Sequence, residues 1–357
     1  MSSKLIPLSV SAALMGGTAL ADAPSVAVDI APVHSLVARV MQGVGTPNLI
    51  VQPGASPHEY SLRPSEAAAL QDADLVFWMG DDLTPWMADA VETLASGAAV
   101  TSLLEADGTT LLDFRESALF EAHDHGAHDD DHDDHAEDEK HDDHDHAEAD
   151  GHDDHEHEEH AEADGHDHDD HDDHDHEEHA DHHGHDHGEH DPHAWLSLEN
   201  AGTWMNVIAA QLSAADPDNA GAYYANATAA REEFAALAEE IKATLDPVRG
   251  GSFIVFHDAY QYFESNFDFP ASGAISLSDA SDPSPARIAE IQGRIREEGI
   301  DCVLAEPQFN PGLIETVLEG TDASTGVIDP LGAELEVGPA LYPQLLRNMA
   351  KTLADCL

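Results

Sequence analysis

The stretch Asp191-Pro192-His193-Ala194-Trp195-Leu196-Ser197 separates two different kinds of sequence in this chain. On its N-terminal side, residues 121–191 hold 34 of the 73 acidic residues and 23 of the 27 histidines. On its C-terminal side a helix begins, and apolar residues return at helical spacing. His193 lies at this boundary, where an adjacent proline and a nearby tryptophan restrict its position. We interpret it as one ligand of a metal site whose other histidines lie far away in the sequence.

The charge of the chain is unevenly distributed along its 357 residues. The formal net charge is −60, and the segment 121–191 carries more than half of it. The rest of the chain still has 39 acidic residues against 12 basic ones. Nucleic acids and anionic membranes are therefore excluded as expected partners, because both require basic patches. An acidic surface instead attracts cations.

The first 21 residues have the pattern of a secretory signal peptide. Lys4 supplies the positive charge, an apolar segment follows, and Ala19-Leu20-Ala21 fits a small-x-small cleavage site. The alternative is a buried first helix. Because no other stretch reaches the roughly 20 apolar residues of a membrane span, we expect an exported protein whose mature form is soluble.

Strand-like and helical patterns alternate on both sides of the acidic segment, which predicts an α/β fold with parallel sheets. Between the two halves, Phe234, Leu237, Ile241 and Leu245 recur at helical spacing, so a long helix is expected to link them. The predicted order is a signal peptide (1–21), an N-terminal α/β lobe (22–120), a His/Asp/Glu-rich disordered loop (121–191), the last helix of the N-terminal lobe (192–215), a linking helix (216–247) and a C-terminal α/β lobe (248–357).

The His/Asp/Glu-rich run has too few apolar residues to offset the entropy of ordering, so we predict no fixed structure without metal. Its segment 146–153 recurs as 160–167, a duplication whose only apolar residues are alanines and that does not indicate a solenoid. One interpretation is a weak, multi-site zinc collector that raises the local zinc concentration. The other is a solvated surface loop without function.

Two further histidines occupy positions comparable with that of His193. His58 follows the second predicted strand in a turn-rich loop, and His257 closes the first strand of the second half. Ligands of open α/β sheets bind beyond the carboxyl ends of the strands, so loops from the two halves can converge between them. Neutral imidazoles from three loops suit Zn²⁺, and each has a proline or acidic neighbour that can orient its ring.

A tetrahedral zinc shell needs a fourth ligand. Asp329 ends a strand of the second half and is the leading candidate, with Glu59 and a water molecule as alternatives. His34 and Glu306 also follow predicted strands, so both are candidates for lining the cleft between the two halves. His34 could equally be an ordinary packed or surface histidine, and Glu306-Pro307 could mark a simple turn.

The only two cysteines, Cys302 and Cys356, lie late in the chain. An exported protein occupies an oxidising compartment, which favours a disulfide between them. The competing interpretation is two buried thiols. Redox or zinc motifs of the CxxC type do not occur in the sequence.

At these residues the chain resembles a known family, the ZnuA type of solute-binding proteins, which bind zinc for ABC-type importers. This family belongs to a larger group of solute-binding proteins that also includes manganese binders. The resemblance covers essentially the whole mature chain, including the His-rich insertion and the late cysteine pair. The matching stretches are Pro53–Tyr60, Asp191–Leu196, Val255–Tyr260 and Ala305–Phe309.

The resemblance implies that His58, His193 and His257 are zinc ligands in a cleft between two lobes joined by a rigid helix. It also implies a periplasmic, monomeric protein that hands zinc to a membrane permease served by a cytoplasmic ATPase. Similar manganese proteins carry a carboxylate in the place of His257, and imidazole there favours zinc over manganese. A manganese or other divalent-metal binder is the nearest alternative.

Two other classes of function remain as alternatives. A zinc-dependent hydrolase could also use three histidines and an open coordination position. Neither an HExxH nor a GxSxG motif occurs, however, so we expect a protein that is not an enzyme. A surface metal-storage or adhesion protein would depend only on the His-rich run.

Overall fold

The computed structural model describes residues 23–115, 120, 190–277 and 283–357. All of these described residues belong to one compact unit. This unit contains two parallel four-stranded sheets with helices packed on them, which confirms the predicted α/β class. The predicted signal peptide and residues 121–189 of the His/Asp/Glu-rich run lie outside the described residues.

The first half is a parallel sheet with helices on both faces. Its elements are β1 (Val26–Val28), α1 (Ala31–Val40), β2 (Asn48–Leu49), α2 (Pro64–Gln71), β3 (Leu75–Trp78), α3 (Pro85–Leu94) and β4 (Ala99–Ser102). The strand order is β2-β1-β3-β4. Because side chains alternate along a strand, Leu75 and Phe77 pack in the main core, whereas Val76 and Trp78 pack with apolar residues of α2 and α3. This explains why β3 is apolar along its whole length.

The second half repeats this arrangement. Its elements are β5 (Phe253–His257), α6 (Gln261–Phe267), β6 (Gly273–Ser276), α7 (Pro285–Glu298), β7 (Cys302–Ala305), α8 (Pro311–Leu318) and β8 (Ser324–Val327). The order β6-β5-β7-β8 matches that of the first sheet, and all its strand pairs are parallel. The inner strands β5 and β7 are therefore neighbours, which brings the residues at their carboxyl ends together.

Helices between and after the sheets join the two halves. They are α4 (Leu198–Ala215), α5 (Ala220–Leu245) and α9 (Leu341–Cys356). The long helix α5 packs against α1, α4 and α9, as expected for a linking helix. Polar contacts add to this packing: Tyr342 N–H donates to Ser35 Oγ at 2.9 Å, and Trp195 Nε1 donates to the Pro330 carbonyl at 2.8 Å. Buried apolar residues from both halves join in one shared cluster, and each half has a further cluster of its own on the other side of its sheet.

The predicted linking helix at 216–247 is present as α5 with a 3-10 turn at each end, Pro217–Asn219 before it and Asp246–Val248 after it. The Asp216 carboxylate accepts hydrogen bonds from the Asn219 side chain and the Tyr223 hydroxyl and so stabilises the turn before the helix.

The predicted disulfide is present: Cys302 and Cys356 are bonded, with Cα atoms 5.8 Å apart. It fastens the end of α9 to β7, the strand that precedes Glu306. Within the described part of the chain, none of the helices combines the length and the apolar character needed to cross a bilayer.

Candidate metal site

Three histidines that are far apart in sequence meet at one point. His58 lies in the loop after β2, His193 directly precedes the 3-10 turn Ala194–Leu196, and His257 is the last residue of β5. Each offers one ring nitrogen, and these atoms lie within 4.8 Å of one another. The ring of His193 is central, with its centroid 5.4 Å from that of His58 and 5.3 Å from that of His257. Separations of this size allow three imidazole nitrogens to bind one metal ion.

His257 is held by a carboxylate from the neighbouring strand. Its Nδ1 atom lies 2.8 Å from Glu306 Oε1, and its backbone N–H donates to the same oxygen at 3.3 Å. Glu306 directly follows β7, which pairs with β5, so the sheet itself places the two side chains together. Because Nδ1 faces the carboxylate, Nε2 is the ring atom that can be directed at a metal.

His193 has a comparable partner within its own loop. Asp191 Oδ1 lies 2.7 Å from His193 Nδ1 and accepts the backbone N–H of His193 at 2.9 Å. Pro192 between them restricts the backbone and keeps this short turn in place. Both side chains are buried, with 5% and 1% exposure for His193 and Asp191, so the ring has a fixed orientation.

His58 is the most exposed of the three. Its backbone N–H donates to Ser56 Oγ at 3.2 Å, and Trp86 Nε1 of α3 donates to the Pro57 carbonyl at 2.7 Å. These contacts fasten the loop before His58 to the first half. The half-buried position indicates that the site opens to solvent on the side of His58.

The space between the rings is small and mainly apolar. Its volume is about 10 Å³, comparable with the space occupied by a single ion or water molecule. Apolar walls exclude bulk water and strengthen the electrostatic attraction between a cation and its ligands. The residues that line it besides the histidines are Pro57, Trp195, Glu306, Gln308, Phe309, Pro330 and Leu331.

Buried carboxylates surround the ligands and make the site suitable for a cation. Burial raises the pKa of Asp191 to about 7, although the hydrogen bond from His193 and the nearby charge of Arg115 act in the opposite direction. Burial also raises the pKa of Asp258 to about 7, against the effect of Arg115. A bound divalent cation would favour the ionised forms of these groups.

Comparison with known proteins gives a consistent family. A sequence model of the family described as "ZnuA: Zinc-uptake complex component A periplasmic" matches residues 26–356. The high-affinity zinc uptake system protein ZnuA of Brucella abortus is 45% identical over 346 residues, which cover 97% of this chain and 95% of the relative.

The chain belongs to the ZnuA family. This family consists of periplasmic components of a zinc-uptake complex, which work with a permease and an ATPase and are not enzymes. The hydrolase alternative is therefore not supported.

Further relatives of this ZnuA-family chain agree. The high-affinity zinc uptake system protein ZnuA of Paracoccus denitrificans is 42% identical, covering 98% of this chain and 97% of the relative. The crystal structure of a ZnuA superposes with a TM-score of 0.66 at 19% identity, covering 94% of this chain and 99% of that one. This similarity shows that the fold is shared.

The structure places the other predicted site residues in this ZnuA-family chain as follows. Glu306 lines the site and contacts His257. The group of side chains close enough to share a metal contains neither Asp329 nor Glu59 among the described residues. The Asp329 carboxylate accepts backbone N–H groups of Leu331, Gly332 and Ala333 at 2.6–3.0 Å. Glu59 is exposed.

His34 does not line the space between the three histidines. It is buried in α1, where its Nε2 atom lies 3.0 Å from the Pro47 carbonyl. Burial lowers its pKa, which keeps the ring neutral. This position agrees with the alternative of an ordinary packed histidine.

Two roles were not assigned from the sequence: those of Asp191 and Glu306 as the partners of ligand imidazoles. Asp191 lies only two residues before His193, in the stretch Asp191–Ser197. This short spacing could have indicated that its carboxylate contacts the His193 ring. Glu306 lies 49 residues from His257, so only the pairing of β5 with β7 connects them. His190 and Asp191 were also predicted to belong to the loop without structure, whereas both are described and Asp191 is buried.

Proposed function

We propose that this chain captures a single zinc ion in the periplasm and delivers it to the permease of an ABC importer. The observation that carries the proposal is the convergence of His58, His193 and His257, with ring nitrogens within 4.8 Å of one another. Zinc is the cargo of this site rather than a resident cofactor. The high-affinity zinc uptake proteins among the relatives support the same assignment.

The donor set favours zinc over manganese. Three imidazoles with two buried carboxylate partners suit a borderline-soft cation, whereas manganese prefers oxygen ligands. Carboxylate partners of ligating histidines raise the basicity of the rings and fix their orientation. Glu306 and Asp191 occupy these positions in the structure.

For the fourth position we favour the water molecule among the alternatives. The carboxylate of Asp329 is already satisfied by three backbone N–H groups, and Gln308 Nε2 also donates to it. Moving it toward the metal would leave those groups unsatisfied, which costs about 1–3 kcal/mol for each buried donor. Glu59 is exposed and lies outside the group of side chains that could share a metal, so its substitution by Gln should leave the zinc affinity within about twofold of the native value.

The remaining parts of the function follow from the sequence. Residues 1–21 are proposed to direct export and to be removed, and the mature protein is proposed to act as a monomer. The His/Asp/Glu-rich run at 121–189 is proposed to collect zinc weakly and raise its concentration near the tight site.

Metal analysis of two purified proteins tests the proposal. Both lack residues 1–21 and 121–189, and one also carries alanine at His58, His193 and His257. The protein with the histidines should retain one equivalent of zinc after dialysis against a weak chelator, and the triple variant should retain none. Equal zinc content in the two proteins would contradict the proposal.

A further inference from the structure

The segment 112–115, which precedes the His/Asp/Glu-rich run, pairs with His190 and Asp191 at the end of the run, beside the metal site. We call residues 112–115 together with 190–191 the stem. The Asp191 N–H donates to the Leu112 carbonyl at 2.8 Å, and Asp113 and His190 form an antiparallel bridge. His190 Nδ1 also lies 3.0 Å from Asp113 Oδ1. The stem therefore fixes the backbone of Asp191, the residue that orients His193.

Helix α6 of the second half holds this stem from the other side. The Tyr262 hydroxyl donates to the Asp191 carbonyl and accepts the Leu112 N–H, both at 2.9 Å. The amide of Gln261, turned so that its nitrogen faces the acceptors, reaches Asp191 Oδ2 and the Asp113 carbonyl at 3.2 Å. The position of Asp191 thus depends on α6 as well as on its own loop.

Arg115 crosses from the stem to the second half. Its Nη1 atom donates to Asp258 Oδ1 at 2.9 Å, and Nη2 donates to Glu264 Oε2 at 2.6 Å. Nη1 also reaches Glu264 Oε1 at 3.3 Å, so the guanidinium contacts both oxygens of that carboxylate. Asp258 directly follows the ligand His257. Arg115 therefore connects the stem behind His193 with the segment that carries His257.

The surroundings of Arg115 make this contact rigid. Asp258 and Glu264 are 3% and 4% exposed and Arg115 only 21%. The guanidinium also lies 3.9 Å from the centre of the Phe120 ring, near the start of the run. A planar guanidinium that binds a buried carboxylate through two nitrogens fixes both distance and orientation, which an ammonium group cannot do.

We propose that Arg115 is a positioning residue for the metal site, which holds His193 and His257 at the separation that one metal ion requires. The inference rests on the proposed function and names a residue that touches neither the ligands nor the metal. Arg115 acts through Asp258 on one side and through the stem on the other. Loss of this contact lets the two imidazoles move apart, so that the metal leaves faster.

The test compares Arg115→Gln with Arg39→Gln in the full-length mature chain. Arg39 is a matched control, because its Nη2 and Nε atoms also contact one carboxylate, that of Glu233, at 2.7 and 3.4 Å, but between α1 and α5. Each protein is loaded with less than one equivalent of zinc so that the tightest site fills first. Zinc release into a chromophoric chelator is then followed by stopped flow, and the absorption spectrum of the Co²⁺-loaded protein reports the ligand geometry.

We expect Arg115→Gln to release zinc about tenfold faster, at the lower end of the effect of changes behind metal ligands. Its Co²⁺ spectrum should also differ from that of the native protein. Arg39→Gln should match the native protein in both measurements. Arg115→Lys, which keeps the charge but not the two-pronged contact, should recover only part of the native rate.

A second variant decides the matter if Arg115→Gln does not fold. Tyr262→Phe removes a single hydroxyl from the stem contacts and should accelerate zinc release in the same direction. The inference would be overturned if Arg115→Gln released zinc at the native rate and gave the native Co²⁺ spectrum, even if its melting temperature fell. If only Tyr262→Phe folds, the same result in that variant would overturn it. Those results would leave the proposed function intact. Failure of the native chain itself to hold zinc would instead overturn the proposed function and the inference together.

Discussion

Replacing Glu306 by glutamine should affect metal binding and the stability of the metal-free protein in different ways. Glu306 Oε1 lies 2.8 Å from His257 Nδ1, and glutamine can offer a carbonyl oxygen at the same place. What is lost is the negative charge that makes the ligand imidazole more basic. Loss of such a partner weakens metal affinity about 10–100-fold, which corresponds to about 1.4–2.7 kcal/mol.

The metal-free protein should not be destabilised by the same change. Glu306 is buried beside Tyr260, and burial, with the charge of Glu306 as a second cause, raises the pKa of the Tyr260 hydroxyl well above its ordinary range. A neutral amide removes the desolvation cost of the carboxylate and can donate to the Tyr260 oxygen. The melting temperature of the metal-free variant should therefore equal or exceed that of the native protein.

Competition titration with a chromophoric zinc chelator measures the affinity, and calorimetry of the metal-free protein measures the melting temperature. Glu240→Gln is a matched control, because Glu240 pairs with Arg347 at the surface and should change neither quantity appreciably. An unchanged zinc affinity in Glu306→Gln would refute the orienting role. A fall of several degrees in its metal-free melting temperature would refute the argument about the buried charge.

Three further predictions concern pH, the disulfide and the run. Burial raises the pKa of Asp29 from 3.8 to about 7, so the folded chain holds a proton that the unfolded chain has lost. The stability of the metal-free protein should therefore fall as the pH rises from about 5 to about 7 and level off above that range, and urea unfolding with a flat or rising profile between about pH 5 and 7 would contradict this. The double variant Cys302→Ser/Cys356→Ser should lose about 2–4 kcal/mol of unfolding free energy in urea, and a loss below about 1 kcal/mol would exclude a stabilising disulfide. Deletion of residues 121–189 should remove weak zinc sites and leave one tight site, and calorimetric titration with unchanged stoichiometry would contradict the collector hypothesis.

Local sequence patterns were sufficient to predict most of the fold. The alternation of strand-like and helical patterns predicted the α/β class and the parallel sheets, and prolines and a serine cap mark the starts of α2, α3 and α4. The contact of α5 with both halves followed from its length and its apolar face.

Of the metal site, the sequence allowed the three histidines to be predicted but not the carboxylates that hold their rings. Three histidines after strands or before a helix could be recognised from chain position, and the fold brings them together. Their partners depend on contacts between distant segments, such as β5 with β7 for Glu306, which no local pattern reveals. Asp329 illustrates the limit of the position argument: it follows a strand as expected, but the next turn of the chain uses its carboxylate for backbone N–H groups.

X-ray absorption at the zinc K-edge tests the central claim most directly, on zinc-loaded protein lacking residues 121–189 so that the histidines of the run do not contribute. We predict multiple-scattering features of three imidazole ligands, with zinc–nitrogen distances of about 2.0–2.1 Å, and the loss of one imidazole in a His257→Ala variant that still holds zinc. A native spectrum with fewer than three imidazoles, or one that His257→Ala leaves unchanged, would contradict the site formed by His58, His193 and His257.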